Sequence, residues 1–315
     1  MVERFNESNY ENGIVELFVE ELGYTAALDS ELQQEITNPF LEDEIENLYS
    51  INFALPKEAV YKAIQKIRFL ENGTLEQRNA LFTDYLQNGV PVSYRDQESG
   101  YHEDRNVIVK LIDYDKVEAN SFYIVQQFHI KEYEAQGVKG HKRPDIVLFI
   151  NGLPLVVMEL KSPYRELQDE DDPYKQIRNA IKALPTFFSY NAICVISDQL
   201  TNRAGTITSS FDRFMEWKSK DGTQEDTRIA GYNTFFEGIF EKSRLLDILK
   251  NFICYVNEGS KIFKIMAAYH QYFAVNKAII STKKASVTDG KGGVFWHTQG
   301  SGKSLSMVFY AQLLQ

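Results

Sequence analysis

The stretch VFWHTQGSGKSLSMVFYAQLL at 294–314 constrains the chain more than any other, because it joins an apolar run, a turn of small residues and an amphipathic run without a spacer. The pattern predicts a strand over 294–298, a tight loop at Gly300-Ser301-Gly302 and a helix from Lys303 onward. Glycines in such a loop let backbone N–H groups close on an anion, and the helix N-terminus favours negative charge. Lys303 is then placed to reach the outer phosphates of a nucleoside triphosphate, and the Ser304 hydroxyl to bind its magnesium ion. His297 stands where the pattern GxxxxGK[ST] has its first glycine, while the inner turn keeps both of its glycines. A phosphate loop in an α/β chain is the expectation.

A second constellation lies in HKRPDIVLFINGLPLVVMELKSP at 141–163. Two apolar, β-branched runs flank Asn151-Gly152 and read as paired strands. Asp145 precedes the first run, and Glu159-Leu160-Lys161 closes the second. An acid two residues before a lysine means little alone, since 44 acids and 22 lysines in 315 residues predict about three such triplets by chance. The strand context raises its weight: a period of two sets Glu159 and Lys161 on one face, and the preceding strand brings in Asp145. Two acids and a lysine suit magnesium, which is usually held by one or two carboxylates together with phosphate oxygens. Asp145 and Glu159 would hold the ion, and Lys161 would orient a water and offset charge on a phosphorane, which is phosphodiester hydrolysis. The bland alternative is a strand cap at Asp145 and an ordinary edge pair at Glu159 and Lys161.

The turn carries a condition. A two-residue loop at Asn151-Gly152 pairs residues whose numbers sum to 303, which puts Asp145 opposite Met158 and Glu159 on the other face. A three-residue loop, Ile150-Asn151-Gly152 with Gly152 at positive φ in a bulge, sets Asp145, Val157, Glu159 and Lys161 on one face. The chemistry requires the second arrangement.

Elsewhere, Tyr10, Ile14, Leu17, Phe18 and Leu22 recur at helical spacing before Gly23, predicting a first helix of about 14 residues. Residues 53–88 read as two helices broken at Asn72-Gly73. Strands are expected in NVIVKLIDY (106–114), SFYIVQQFHI (121–130), DIVLFI (145–150), LPLVVMELK (153–161) and NAICVIS (191–197), together one mixed sheet. RELQDEDD at 165–172 reads as an acidic loop before the helical YKQIRNAIKAL. Helical segments are expected at 237–256 and 261–279, beyond a boundary near 230. No internal repeat or low-complexity tract is visible.

The net charge of −10 argues against a nucleic-acid partner only until its distribution is examined. Residues 1–60 carry fourteen acidic and two basic side chains, a net of −12, which leaves +2 for 61–315. The acidic segment is a solvated surface or a docking face for a basic partner, and neither forbids DNA elsewhere. Cys194 and Cys254, far apart and in apolar surroundings, read as reduced core residues. No apolar run reaches the roughly 18 residues of a membrane span and no signal peptide pattern opens the chain, so a cytoplasmic location without membrane contact is expected.

The pair of motifs supports a resemblance. Asp145, Glu159 and Lys161 resemble the motif of PD-(D/E)xK nucleases over roughly residues 1–230, which implies a mixed sheet flanked by helices, with the Leu160 carbonyl as a further metal ligand. In that family a helix before the sheet often adds an acid, and Glu11 takes that place. Members fused to motors carry a glutamine with a tyrosine four residues on; this chain has Gln176, with Ala180 at the tyrosine position, and Gln176 and Arg178 become expected DNA contacts. GGVFWHTQGSGKS looks like the first motor motif of the restriction subunit of type I restriction-modification enzymes, in which such a nuclease domain precedes RecA-like superfamily 2 motor domains. AAYHQYFAV at 267–275 is similar to that family's glutamine motif, which makes Gln271 a candidate to read adenine. The implied organisation is a nuclease domain at 1–230, a helical linker at 231–280 and the start of a RecA-like motor domain at 281–315, since twelve residues after Lys303 leave no room for a Walker B acid or a second lobe. The implied function is ATP- and magnesium-dependent cleavage of unmodified double-stranded DNA, with modification and specificity subunits as partners. Another helicase-linked nuclease in DNA repair, or a catalytically dead docking module, remains compatible with the same residues.

Overall fold

Alternation of apolar side chains on both faces of the central strands decides the architecture. The computed structural model describes residues 7–32, 35–70, 73–95, 104–134, 137–161, 172–198, 200–227, 231–300 and 302–314. In chain order the elements are α1 (Glu7–Glu20), β1 (Thr25–Leu28), α2 (Glu42–Ile45), α3 (Asn47–Ile51), α4 (Lys57–Arg68), α5 (Leu75–Asn88), β2 (Val90–Arg95), β3 (Asp104–Val109), β4 (Phe122–Gln126), β5 (Ile130–Glu134) and β6 (Gly137–Lys142). They continue with β7 (Ile146–Ile150), β8 (Leu153–Leu160), α6 (Pro173–Ala183), α7 (Pro185–Phe188), β9 (Ile193–Ser197), β10 (Asn202–Gly205), α8 (Tyr232–Phe240), α9 (Lys242–Asn251), β11 (Ile253–Glu258), β12 (Lys261–Met266), α10 (Tyr269–Ser286) and α11 (Lys303–Leu313).

Six strands form one mixed sheet in the order β1-β4-β7-β8-β9-β10, with β1–β4 and β8–β9 parallel and the other pairs antiparallel. Ile146, Leu148 and Ile150 of β7 enter one apolar cluster with side chains of α1, α4, α5, α8, α9, α10 and α11. Val147 and Phe149 point the other way, into a second cluster with α6 and α7. Every residue of β7, β8 and β9 is buried, as expected of strands covered on both faces. The α/β class with a mixed sheet between helices is thus as expected. Helix α1 has the predicted length, and Tyr10, Ile14, Leu17 and Phe18 are its buried stripe.

Several expectations are corrected. Of NVIVKLIDY only the part up to Val109 is a strand, and it pairs with β2 outside the main sheet. SFYIVQQFHI is not one strand: β4 stops before Gln127, which takes a positive φ of 56°, and the chain re-forms as β5 in a separate hairpin with β6. The segments expected to be helical across 253–266 are the antiparallel pair β11–β12, turned by Gly259-Ser260 between Glu258 and Lys261. The missed signal was that dipeptide between two β-branched runs. Cys254 therefore lies half-buried on a strand, while Cys194 is buried, and both thiols are free. The strand expected at 294–298 is not formed, because no described strand lies alongside to complete its hydrogen bonds. Val294 is 94% exposed. Helix α11 forms as expected and buries Phe309 against Phe252, ring centroids 5.5 Å apart.

Past residue 230, Phe236 and Phe240 of α8 pack on Phe18 of α1 with ring centroids 5.9 and 5.5 Å apart, so packing is continuous across that point. Apart from Asp172, whose side chain caps α6 by accepting from the Tyr174 N–H, the acidic loop at 165–172 lies outside the described residues, as does Asn72. Among the described residues no helix is long and apolar enough to cross a membrane.

Candidate active site

The β7–β8 turn settles the parity question in a way the sequence reading did not anticipate. Asn151 and Gly152 both have positive φ, 49° and 76°, and form the two-residue loop, so Ile150 faces Leu153 and Phe149 faces Pro154. A bulge then inserts one residue in β8, and from Leu148 opposite Val156 onward the paired numbers sum to 304. The expected three-residue loop is absent; the bulge restores the same parity. Continued by one residue, that register brings Asp145 opposite Glu159. Gly152 is required here, since a Cβ would stand 2.6 Å from the Leu41 carbonyl oxygen.

Asp145, Glu159 and Lys161 consequently lie at one end of the sheet, 8%, 8% and 9% exposed; the two acids line one cleft, whereas Lys161 is not among its lining residues. Asp145 Oδ2 accepts from the Leu160 N–H at 2.7 Å, and the Lys161 N–H donates to the Ser197 carbonyl at 2.8 Å. These bonds tie both strand ends together around the acids. Tyr10 of α1 hydrogen-bonds to Ser197 Oγ at 2.5 Å, which brings the adjacent Glu11, 8% exposed, to the same end.

Sequence reasoning missed Gln127. Its backbone N–H donates to the Asp145 carbonyl at 2.8 Å, and its Nε2 donates to Glu11 Oε2 at 2.9 Å and to Asp145 Oδ1 at 3.3 Å. The side chain thereby bridges two of the predicted acids. No local pattern marked it; its positive φ, where β4 breaks off, is a structural signal only.

A cleft of about 560 Å³ opens over the acids, lined by Lys142, Arg143, Asp145, Glu159, Lys175, Gln176 and Asn179. One wall is β6, whose Gly140 approaches α6 so closely that a Cβ would stand 2.0 Å from the Ala183 carbonyl oxygen. Glu132 of β5 anchors the same hairpin by accepting from the Thr186 N–H and hydroxyl. Gln176 lines the cleft. Arg178 is not among the lining residues and donates to the Ile207 carbonyl at 2.5 Å. Ala180, at the position where a tyrosine was sought, is 1% exposed and packs in the second core cluster. Lys142, Arg143 and Lys175 are three cations that sequence reasoning did not select, although two of them sit directly before Pro144-Asp145. The cleft thus sets a carboxylate floor against cationic walls, an arrangement able to bind a divalent cation together with an anionic ligand. Among the described residues, no group of three or more His, Cys, Asp or Glu side chains is placed to hold a metal by itself.

At the second predicted site, Gly300 and Gly302 have φ of 82° and 77°, as the tight turn requires. Ser301 lies outside the described residues. Lys303 Nζ donates to the carbonyls of His297 and Thr298 at 2.9 and 3.0 Å, and Ser304 is exposed in the first turn of α11. Gln271 is 4% exposed; its Oε1 accepts from the Ala268 N–H and its Nε2 donates to the Gly302 carbonyl at 3.0 Å. The glutamine expected to read a base is thus joined to the loop expected to hold phosphates. Burial, the neighbouring His270 and the Lys303 ammonium hold the His297 imidazole below its ordinary value.

Two family models match the chain. The family model for the type I restriction enzyme R protein N terminus matches residues 4–213, and the SWI2/SNF2 ATPase model matches 270–315. The type I restriction enzyme HindI endonuclease subunit of Haemophilus influenzae is 37% identical over 279 residues, 86% of this chain and 26% of its own length. The MjaIXP protein of Methanocaldococcus jannaschii is 31% identical over 320 residues, 92% of this chain and 30% of its own. The SauCOLORF180P endonuclease subunit of Staphylococcus aureus is 29% identical over 200 residues, 62% of this chain and 19% of its own. The chain spans about a quarter to a third of the first two of these relatives. With two thirds of its residues matched by that family model, the chain belongs to the family of type I restriction enzyme R protein N termini.

Proposed function

We propose that this chain carries the DNA-cleaving site and the opening of the motor of a type I restriction endonuclease subunit. The observation that supports the reading is that Asp145 and Glu159 line one cleft together with Lys142, Arg143 and Lys175, with the buried Lys161 two residues past Glu159. The fold is then that of a PD-(D/E)xK nuclease at 1–230, followed by a linker at 231–280 and the start of a RecA-like motor at 281–315.

The donor set fits magnesium: two carboxylates offer hard oxygens, and the Leu160 carbonyl and phosphate oxygens can complete the shell. When bound, the ion supplies a lowered pKa for an attacking water and charge neutralisation at the phosphate. Asp145 and Glu159 would hold it, and Gln127 fixes the Asp145 carboxyl and links it to Glu11. Lys161 orients the water and offsets charge that grows on the phosphorus-bound oxygens. Lys142, Arg143 and Lys175 neutralise backbone phosphates of double-stranded DNA, and Gln176 contacts the strand entering the cleft. At the other site Lys303 turns from the His297 and Thr298 carbonyls to the β- and γ-phosphates of ATP, Gly300, Ser301 and Gly302 present N–H groups, Ser304 binds the nucleotide's magnesium and Gln271 reads adenine. Sequence specificity falls to modification and specificity subunits, so that unmodified DNA is cut after ATP-driven translocation.

The longer protein, mixed with candidate modification and specificity subunits and with ATP and magnesium, tests the reading on methylated and unmethylated plasmid. Cleavage confined to unmethylated plasmid and dependent on ATP supports it. Cleavage indifferent to methylation points instead to a repair nuclease, and no cleavage with intact ATP hydrolysis to a docking module.

A further inference from the structure

The strand register sets a cation in line with the carboxylates of the cleft. Glu159 of β8 is opposite Ile196 of β9, and Ile196 is opposite Arg203 of β10. Residues directly opposite in a sheet project from the same face, so Glu159, Ile196 and Arg203 form one row across three strands. Ile196 packs in the cluster with α6, whose Lys175, Gln176 and Asn179 line the cleft, so the row lies on the face where the cleft opens. Neighbouring strands lie about 4.8 Å apart, so the Arg203 backbone stands about 10 Å from that of Glu159. The first turn of α6 links the two places: Lys175 lines the cleft, while the preceding Tyr174 meets Phe211 edge-on with ring centroids 5.5 Å apart.

The surroundings of Arg203 suit an anion from outside the chain. Its guanidinium carbon lies 5.0 Å from the centroid of the Phe211 ring, and Phe211 is itself 50% exposed. Stacking on a ring orients the planar fork through its face and leaves the N–H edge for a phosphate, which that fork matches in shape. The Glu216 carboxylate is 3.9 Å from Arg203 Nη2, beyond hydrogen-bond reach, and its other oxygen pairs with Lys218 Nζ at 2.9 Å. We propose that Arg203 and Phe211 form a second DNA contact beside the cleft, the guanidinium binding a backbone phosphate and the Phe211 ring packing on the adjoining sugar. This contact rests on the reading of the cleft as a DNA-cleaving site, and it sets the path of the duplex, from the carboxylates across the first turn of α6 toward β10. A duplex whose major groove alone is about 12 Å wide covers both ends of a row about 10 Å long.

Fluorescence anisotropy of a labelled duplex of about 20 base pairs, titrated with the 315-residue chain in calcium chloride over a series of salt concentrations, measures the contact. Arg203→Ala should weaken binding by about tenfold and lower the slope of log affinity against log salt by about one, as the loss of one phosphate contact requires. Phe211→Ala should weaken binding by about three- to tenfold with the slope unchanged. Glu216→Gln breaks the same ion pair as Arg203→Ala but should bind at least as tightly as the unsubstituted chain, which separates a phosphate contact from a structural one. Lys175→Ala should weaken binding through the cleft wall, and circular dichroism verifies that each variant is folded. Unchanged binding in Arg203→Ala beside weakened binding in Lys175→Ala, or a loss in Glu216→Gln equal to that in Arg203→Ala, would overturn the contact and leave the cleft reading standing. No duplex binding, or binding unmoved by both Arg203→Ala and Lys175→Ala, would overturn the two together.

Discussion

Replacing Asn151 by alanine should cost the fold more than any surface substitution, and the amount follows from its surroundings. The side chain is fully buried. Its Oδ1 accepts from Asn47 Nδ2 at 2.8 Å and from the Ser121 N–H at 2.9 Å, and its Nδ2 donates to the Leu111 carbonyl and to Asn120 Oδ1, both at 2.9 Å. Four neutral hydrogen bonds at about 1 kcal/mol each give about 4 kcal/mol, the Leu111 carbonyl and Asn120 being buried and Asn47 and Ser121 half-buried. A non-glycine residue at φ 49° adds about 1 kcal/mol once the local bonding that favours asparagine there is lost. Against a total stability of about 5–15 kcal/mol, the loss is a third or more. Asn151→Gly loses the same bonds without the backbone penalty, so it should be more stable than Asn151→Ala by about 1 kcal/mol. Equilibrium urea unfolding at pH 7, followed by far-ultraviolet circular dichroism, measures both. A loss below about 1 kcal/mol in Asn151→Ala, or an alanine variant as stable as the glycine one, would refute the account of this turn.

Three further outcomes are expected. Gln127→Ala should lower DNA cleavage by the longer protein by about 10- to 100-fold with the fold intact, because it frees the Asp145 carboxyl that Gln127 holds; steady-state cleavage beside circular dichroism checks this. Phe309→Ala removes the buried anchor of α11 against Phe252 and should cost about 3–5 kcal/mol locally, seen as faster hydrogen exchange over 303–313 with the central sheet unchanged. Lys264 donates to Asn79 Oδ1 and the Asn191 carbonyl from a fully buried position, and burial pulls its pKa down to about 7. Above that value the folded chain binds fewer protons than the unfolded one, so stability should rise from pH 7 to 9 by up to about 1.4 kcal/mol per pH unit, a rise absent from Lys264→Met in urea titrations.

What the sequence made legible followed from local pattern. Two buried strands read as apolar runs, α1 as a stripe of five residues, and the acids and lysine stood out because they close a strand. The route by which they meet was not legible, since a bulge in β8 costs one unpaired residue and leaves no mark in composition. Gln127 was invisible for a related reason: its role depends on β4 ending where the chain takes a positive φ, next to acids distant in sequence. Lys142 and Arg143 were in plain view beside Asp145, but only the approach of β6 to α6 makes them a cleft wall. The strand at 294–298 failed for the opposite reason, a local pattern with no described neighbour to pair with.

The central claim is that Asp145, Glu159 and Lys161 form one hydrolytic site separate from the nucleotide loop. It is tested most directly by measuring plasmid cleavage and ATP hydrolysis side by side in the longer protein carrying Asp145→Asn, Glu159→Gln or Lys161→Ala. The account predicts that each variant loses cleavage by about a thousandfold or more, about 4 kcal/mol of transition-state stabilisation, while ATP hydrolysis stays at the unsubstituted rate. Cleavage retained by Lys161→Ala, or ATP hydrolysis lost together with cleavage in all three, would contradict it.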